Sequence, residues 1–170
     1  MKKKSGEVFN VEAVRCFSLS RIYDIDHGMP PKPTKNFKIS AEVVDEDFLV
    51  ILEEFISEDE EKNFEEAKKY FDKLTADLNK EFDFIFDDSG LDMVNAAFVR
   101  KIFVESFHYD DGGYIVCVTA RLFDDDEDSE GFIFTRFNSG NEEKDIEDAE
   151  NYLADLMKNL NEGKHNEISF

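Results

Sequence analysis

A twenty-residue stretch that occurs twice constrains the fold more than any other feature of the chain. The first copy, at residues 60–79, reads EEKNFEEAKKYFDKLTADLN, and the second, at residues 142–161, reads EEKDIEDAENYLADLMKNLN. Nine of the twenty positions are identical without a gap. In the first copy the apolar positions fall at helical spacing, which predicts one buried stripe: Phe64, Ala67, Tyr70, Phe71, Leu74 and Leu78. Ser57 and Glu60 have the spacing of a capping box, which predicts where this helix begins.

The segments before each helix also correspond. VFNVEAVR at 8–15 aligns with MVNAAFVR at 93–100, and ISAEVVDED at 39–47 aligns with VTARLFDDD at 118–126. FLVILEEFI at 48–56 parallels GFIFTRF at 131–137, directly before each helix. Alternation of apolar and polar residues predicts strands in these segments. The order strand, strand, strand, helix therefore occurs twice, with offsets of 85, 79 and 82 residues.

This order predicts an α+β fold with an internally duplicated β-β-β-α unit, whose antiparallel sheet or sheets are covered on one face by two long helices. Residues 8–81 form the first repeat and residues 93–162 the second, with a joint at 82–92. Residues 1–7 are predicted to be a flexible N-terminus and 163–170 a C-terminal tail. Two arrangements fit: one continuous six-stranded sheet, or two tandem sandwiches related by a pseudo-twofold axis. Strand lengths and the short joint favour a single compact body.

The charge of the chain restricts the class of partner. With 41 acidic and 20 basic residues the formal charge is −21, which disfavours direct binding of nucleic acid. No apolar run approaches the roughly 20 residues of a membrane span, and the basic N-terminus lacks the apolar core of a signal peptide. Cys16 and Cys117 have no CxxC partner, which favours two reduced, buried thiols. These features predict a cytoplasmic protein.

Residues 124–155 carry about half of this charge. They contain 13 acidic residues against Arg136 and Lys144. Such a run is usually a solvated surface, but like charges placed together oppose folding, so a partner could account for them. The second helix is also the more acidic, because Glu150, Asn151 and Asp155 stand where the first has three lysines. The predicted contact residues are Asp124, Asp125, Asp126, Glu127, Asp128, Glu130, Glu142, Glu143, Asp145, Glu147, Asp148 and Glu150.

These carboxylates favour a non-enzymatic inhibitor that occupies the basic nucleic-acid groove of a DNA- or RNA-binding protein. A groove that binds the phosphate backbone is lined by Lys and Arg, so a protein with a comparable density of carboxylates can enter it and exclude DNA. In size and charge the chain resembles phage-encoded DNA-mimic proteins of the anti-restriction and anti-CRISPR type. The resemblance is one of composition, and no motif matches a particular member.

Two other interpretations remain open. The first is an adaptor or dimerisation protein that docks a partner through an apolar sheet edge or helix face. The second is a metal-dependent site where the first strand of each repeat ends, at Asp24, Asp26 and His27 and at His108, Asp110 and Asp111. The ordinary interpretation of those residues is turn chemistry, because each repeat supplies a single His.

Known chemical motifs are otherwise lacking. Asp126, Asp128, Glu130, Gly131 and Ile133 follow the opening of a calcium loop, but position twelve is Phe137 instead of Glu. The sequence has no dinucleotide-binding glycine motif, no P-loop and no nucleophile elbow. We therefore expect neither catalysis nor a cofactor or dedicated metal.

Overall fold

A computed structural model of the chain describes residues 10–25, 29–44, 49–123 and 131–161, and it has an α+β fold with antiparallel sheets and two helices. The strands are β1 (Val14–Asp24), β2 (Lys32–Val43), β3 (Val50–Phe55), β4 (Phe84–Phe86), β5 (Asp92–Asn95), β6 (Val99–His108), β7 (Tyr114–Leu122) and β8 (Phe132–Phe137). The helices are α1 (Glu60–Leu78) and α2 (Glu142–Asn161).

The described strands form two sheets. One has five strands in the order β3-β2-β1-β5-β4, and the other has three in the order β6-β7-β8. The chain divides into two compact units, of which unit 1 takes the residues up to Phe84 together with Leu91–Asn95. Unit 2 takes Ile85–Gly90 and the residues from Ala96 onward. Each unit has its own core.

Large apolar side chains from the sheet and the helix fill the core of unit 1. Phe17 of β1, Ile39 of β2, Phe71 of α1, Phe84 and Met93 are all fully buried. The rings of Phe17 and Phe84 lie with centroids 5.4 Å apart. Burying side chains of this size stabilises a fold by roughly 1.5–3 kcal/mol each.

Helix α1 begins and ends at side-chain caps. The Asp59 carboxylate accepts from the backbone N–H of Lys62 at 3.1 Å, so the N-cap is Asp59 and not the predicted Ser57. The Ser57 hydroxyl instead donates to the side-chain oxygen of Asn63 at 2.7 Å. Past the end of the helix, the Asn79 side chain accepts from the N–H of Phe84. The predicted helix is therefore present, with a cap two residues later than expected.

The buried face of α1 differs from the predicted stripe. It consists of Asn63, Ala67, Phe71 and Thr75. Phe64 and Tyr70 are 37% and 39% exposed and lie at the flanks of this face. Their rings still contact strand residues, Phe64 with Phe37 and Tyr70 with Phe55. The apolar pattern misplaced the face because polar residues with internal hydrogen bonds occupy both of its ends.

The core of unit 2 lies along β7 and α2. Val116, Val118 and Ala120 of β7 are fully buried, as are Phe134 of β8 and Leu156 of α2. At the start of α2 the Asn141 side chain accepts from the N–H of Lys144 at 3.2 Å. Gly131 enters β8 with φ of +70°.

The strand registers of the two units agree. Positions related by the sequence offsets of 85, 79 and 82 residues are called equivalent below. In unit 1, Val14 of β1 pairs with Val43 of β2. In unit 2 the equivalent residues pair in the same way, Val99 of β6 with Leu122 of β7. The same holds for a pair between the second and third strands of each unit: Ala41 with Val50, and Ala120 with Phe132. A register shift between Ile39 and Ser40 recurs at its equivalent, between Val118 and Thr119.

The alternative of one continuous six-stranded sheet was wrong, because the described strands form a five-stranded and a three-stranded sheet. The edge of β1 is already paired with β5, and β4 follows at the edge of the sheet, so another strand cannot join there. Met93 and Val94 of β5 are fully buried. Sequence alignment assigned residues 93–95 to the second repeat, whereas their contacts lie in unit 1.

Candidate partner-binding surface on the second helix

Half of the predicted contact residues fall outside the described part of the chain. These are Asp124, Asp125, Asp126, Glu127, Asp128 and Glu130, and no structural statement is made about them. The described part of the predicted surface is therefore the first half of α2.

Five of the six acidic residues predicted on α2 reach solvent. Glu143, Glu147 and Glu150 are exposed at i, i+4 and i+7, so they line one face of the helix. Glu142 and Asp148 are half-buried beside them. The helix rises about 10 Å from Glu143 to Glu150, so this face carries one carboxylate in about every 5 Å, within a factor of two of the ~3.4 Å charge spacing of a single DNA strand. We call these five residues the acidic row.

Four of the six carboxylates of α1 have a cationic neighbour, whereas Glu61 and Glu65 are exposed and have none within ion-pair distance in the described part of the chain. Glu60 contacts Arg21 at 2.5 Å, Asp77 contacts Lys80 at 2.7 Å, and Asp72 contacts Lys68. The Lys80 side chain holds the pKa of the Asp77 carboxyl below its usual range.

The acidic row is neutralised much less. Asp148 lies 3.7 Å from Lys144, and Glu142 lies 3.1 Å from the imidazole of His108. Within the described ranges, Glu143, Glu147 and Glu150 have no cationic side chain within ion-pair distance. α2 therefore presents free negative charge where α1 presents mixed charge.

Asp145 does not belong to this surface, which corrects its prediction as a contact residue. Its side chain is buried, and one carboxylate oxygen accepts from the Tyr114 hydroxyl at 2.7 Å and the Ser139 backbone N–H at 2.8 Å. Burial opposes ionisation, but these hydrogen bonds outweigh it and the pKa of Asp145 is lowered. Burial and then the bond to Asp145 raise the pKa of Tyr114 to about 12. Asp145 anchors the helix to its sheet.

Sequence reasoning missed this anchor although a signal for it was present. Asn63 is the equivalent of Asp145, and Ser57 is the equivalent of Ser139. A polar residue therefore stands at the same place in both helices, on the face that packs inward. Asn63 is likewise buried and donates to the carbonyl oxygens of Lys35 and Ser57.

The strand ends considered as metal sites have other contacts. His108 contacts Glu142 of α2, and the Asp111 carboxylate accepts from the N–H of Gly113, which is turn chemistry. Asp26 and His27 lie outside the described residues, as do the acidic residues of the calcium-loop pattern. In the described part of the chain no three His, Cys, Asp or Glu side chains converge as metal ligands.

The two cysteines are buried and form no disulfide, as predicted. Burial raises the pKa of the Cys117 thiol, which favours its unreactive protonated form.

Comparisons of the chain with protein-family models, with curated proteins and with solved structures found no match. The fold places the protein in the α+β class, and the function is argued from its own residues. None of the helices in the described ranges is long and apolar enough to cross a membrane.

Proposed function

We propose that this chain is a non-enzymatic acidic binding protein of the DNA-mimic type, acting in the cytoplasm. It would occupy the basic nucleic-acid groove of a DNA- or RNA-binding protein, as anti-restriction and anti-CRISPR proteins do. The observation that supports the proposal is the exposed face of Glu143, Glu147 and Glu150 on α2. Among the described residues these three have no cationic side chain within ion-pair distance, whereas four of the six carboxylates of α1 have one.

The mechanism is competition for the same cations. A groove that binds DNA holds Lys and Arg at the spacing of the phosphates, and a carboxylate accepts charge-assisted hydrogen bonds from the same side chains. A helix fixes the backbone that carries the row, so binding has to order only the glutamate and aspartate side chains. Glu143, Glu147 and Glu150 are the proposed central contacts, with Glu142 and Asp148 beside them. The acidic residues between 124 and 130 are also proposed as contacts. Asp145 is not, because its side chain is buried.

We further propose that the chain arose by internal duplication and that each helix covers one face of its own sheet. The shared registers and the shared register shift support the duplication. The ring contacts of Phe64 with Phe37 and of Tyr152 with Phe137 support the covering. On this reading the second copy lost its helix lysines after duplication, while the first retained them.

Two double variants test the acidic row under matched conditions. Glu143→Gln with Glu147→Gln removes two charges from the row, and Glu61→Gln with Glu65→Gln removes two charges from the equivalent positions of α1. Immobilised protein would capture basic nucleic-acid-binding proteins from a lysate at about 50 mM salt, with release measured on adding duplex DNA or raising the salt. We expect the α2 variant to weaken capture about tenfold, which is about 1.4 kcal/mol, and the α1 variant to leave it unchanged.

If both double variants lost capture equally, net charge alone would explain the binding, and a specific surface on α2 would be contradicted. Capture that neither DNA nor salt reverses would point instead to an apolar adaptor interface. That second function has its own structural support at the edge of β6, described next.

A further inference from the structure

An apolar groove runs beside the edge of β6 in unit 2. Its walls are Val99 and Ile102 of β6 and Met157 and Leu160 of α2, and its volume is about 450 Å³. Arg100 and Lys101 also line it, and both are exposed. The groove therefore combines an apolar floor with a positive rim in a chain of strongly negative charge.

The equivalent place in unit 1 is filled by a strand of the chain itself. There β5 pairs antiparallel with β1, Met93 opposite Phe17, and the N–H of Leu19 donates to the carbonyl of Leu91 at 2.8 Å. Phe17, Met93 and Phe84 are fully buried together. The strand thus completes both the sheet and the core.

Residues of unit 2 are exposed where their equivalents in unit 1 are covered. Val14 and Phe17 are fully buried, whereas Val99 and Ile102 are only half-buried. Thr75 of α1 is 5% exposed, whereas its equivalent, Met157 of α2, is 42% exposed. Among the described strands, β6 pairs only with β7. The edge and the groove beside it therefore correspond to a filled place in unit 1.

We propose that this edge binds an extended segment of a partner protein, which adds as a strand antiparallel to β6. In unit 1 the Leu19 amide faces β5. The N–H groups of the equivalent Val104 and, two residues earlier, of Ile102 therefore point to the edge of β6 at which no described strand pairs, and they would donate to such a segment. This proposal rests on the matched registers and not on the acidic row.

The chemistry of the partner segment follows from the strand that fills unit 1. Met93 of β5 is fully buried, and the half-buried Leu91 directly precedes the strand. Asp92 stands between them in the chain and pairs opposite Ser18. A segment with two large apolar residues flanking one acidic residue would fill the groove from Ile102 to Met157. Its acidic residue would lie near Lys101, so the charges are complementary.

A peptide copied from this chain provides a defined probe. The twelve residues 84–95, FIFDDSGLDMVN, contain the strand that completes unit 1. We expect the peptide, titrated into the isotope-labelled full chain at about 150 mM salt, to shift the amide resonances of Ile102 and Val104 and the methyl resonance of Met157. The amides of Ile102 and Val104 should exchange with solvent rapidly before binding and slowly afterwards. Shifts confined to unit 1, or none at millimolar peptide, would overturn the proposal.

Matched variants locate the binding site. Met157→Glu places a charge in the groove at an already exposed position and should weaken binding at least tenfold. Asn151→Glu adds the same charge to an exposed α2 position outside the groove and should leave the affinity unchanged. Equal affinity of both variants would contradict the groove as the site.

Binding of a partner segment must also be distinguished from self-association of the chain through the same edge. If sedimentation shows a dimer in which the amides of Ile102 and Val104 are protected without peptide, the occupant is a second copy and the proposed partner segment is wrong. Loss of peptide binding in Met157→Glu with the acidic-row interaction intact would show that the two surfaces act separately.

Discussion

At the scale of residues, Asn63 and Asp145 occupy equivalent buried positions with opposite hydrogen-bonding roles. The Asn63 amide donates to two carbonyl oxygens, of Lys35 at 2.9 Å and of Ser57 at 3.1 Å. The Asp145 carboxylate accepts from Tyr114 and Ser139. The sequence places a polar residue at this position in both helices, but donor and acceptor roles depend on groups far along the chain. The exchange of Asn for Asp is therefore not neutral here.

The pH dependence of stability tests this pair. The lowered pKa of Asp145 means that its ionised form stabilises the fold above the ordinary value of 3.8, and that this contribution is lost as the pH falls below it. Asp145→Asn keeps an oxygen for both donors but loses the charge. We expect it to be less stable than the parent at neutral pH, with the difference shrinking below about pH 4, as measured by urea unfolding.

The converse variant is the control. Asn63→Asp directs a carboxylate at two carbonyl oxygens and should lose roughly 1–3 kcal/mol at neutral pH. Part of that loss should return at low pH, when the carboxyl can donate. Parallel pH profiles for the two variants would contradict the assigned hydrogen bonds.

At the scale of elements, the sequence predicted those helices and strands that carry a long periodic pattern. β3 and β8 lie within the predicted strand segments, and α2 spans the repeated stretch 142–161. α1 begins about two residues later than expected and ends at Leu78, three residues before the expected end near Glu81. The sequence named six acidic contact residues on α2 but did not separate the exposed Glu143, Glu147 and Glu150 from the buried Asp145. The sequence predicted a strand at 93–100 but not its division into β5 and β6, because the pairing of β5 with β1 depends on residues far along the chain. Asp145 was misplaced because periodicity gives no information about a buried polar partner.

The entrance to β8 gives an element-scale prediction about Gly131. Its φ of +70° disfavours any side chain, and a Cβ there would lie 2.6 Å from the carbonyl oxygen of Ala120. We expect Gly131→Ala to destabilise the protein by at least about 2 kcal/mol, from strain plus the clash. The measurement is the midpoint of urea unfolding.

Gly140 is the matched control. It has φ of +88° with open space around it, so Gly140→Ala should cost only about 1 kcal/mol of backbone strain. If both variants lost a similar free energy of unfolding, the Ala120 backbone of β7 would have to move away from the new Cβ at residue 131 without destabilising the protein.

At the scale of the whole molecule, the first repeat of the sequence and the first compact unit of the structure have different boundaries. The alignment ends the first repeat at residue 81, but unit 1 also needs Phe84 and Leu91–Asn95. Sequence alignment compares residue types, whereas a core depends on which side chains are buried together. The segment that completes unit 1 lies in the joint and at the start of the second aligned stretch. The repeated order of strands and helix could therefore be predicted from the sequence, and the five-stranded sheet could not.

Two fragments test the boundary. A fragment of residues 1–95 contains all of the described core of unit 1, whereas 1–81 lacks Phe84, Met93 and Val94, each fully buried. Losing these side chains removes roughly 1.5–3 kcal/mol each, comparable in sum to the stability of a small domain. We expect 1–95 to unfold cooperatively in urea and 1–81 to show no cooperative transition. A cooperative transition in 1–81 would show that β5 is dispensable.

The pairing of β1 with β5 also affects the order of events while the chain is synthesised. Residues 82–95 follow the first repeat, and at about 5–20 residues per second their translation takes about one to three seconds. During that interval the edge of β1 has no strand beside it, and a bare edge is a template for another nascent chain. Synonymous codons that slow translation between residues 82 and 95 would lengthen this exposure without altering a single amino acid.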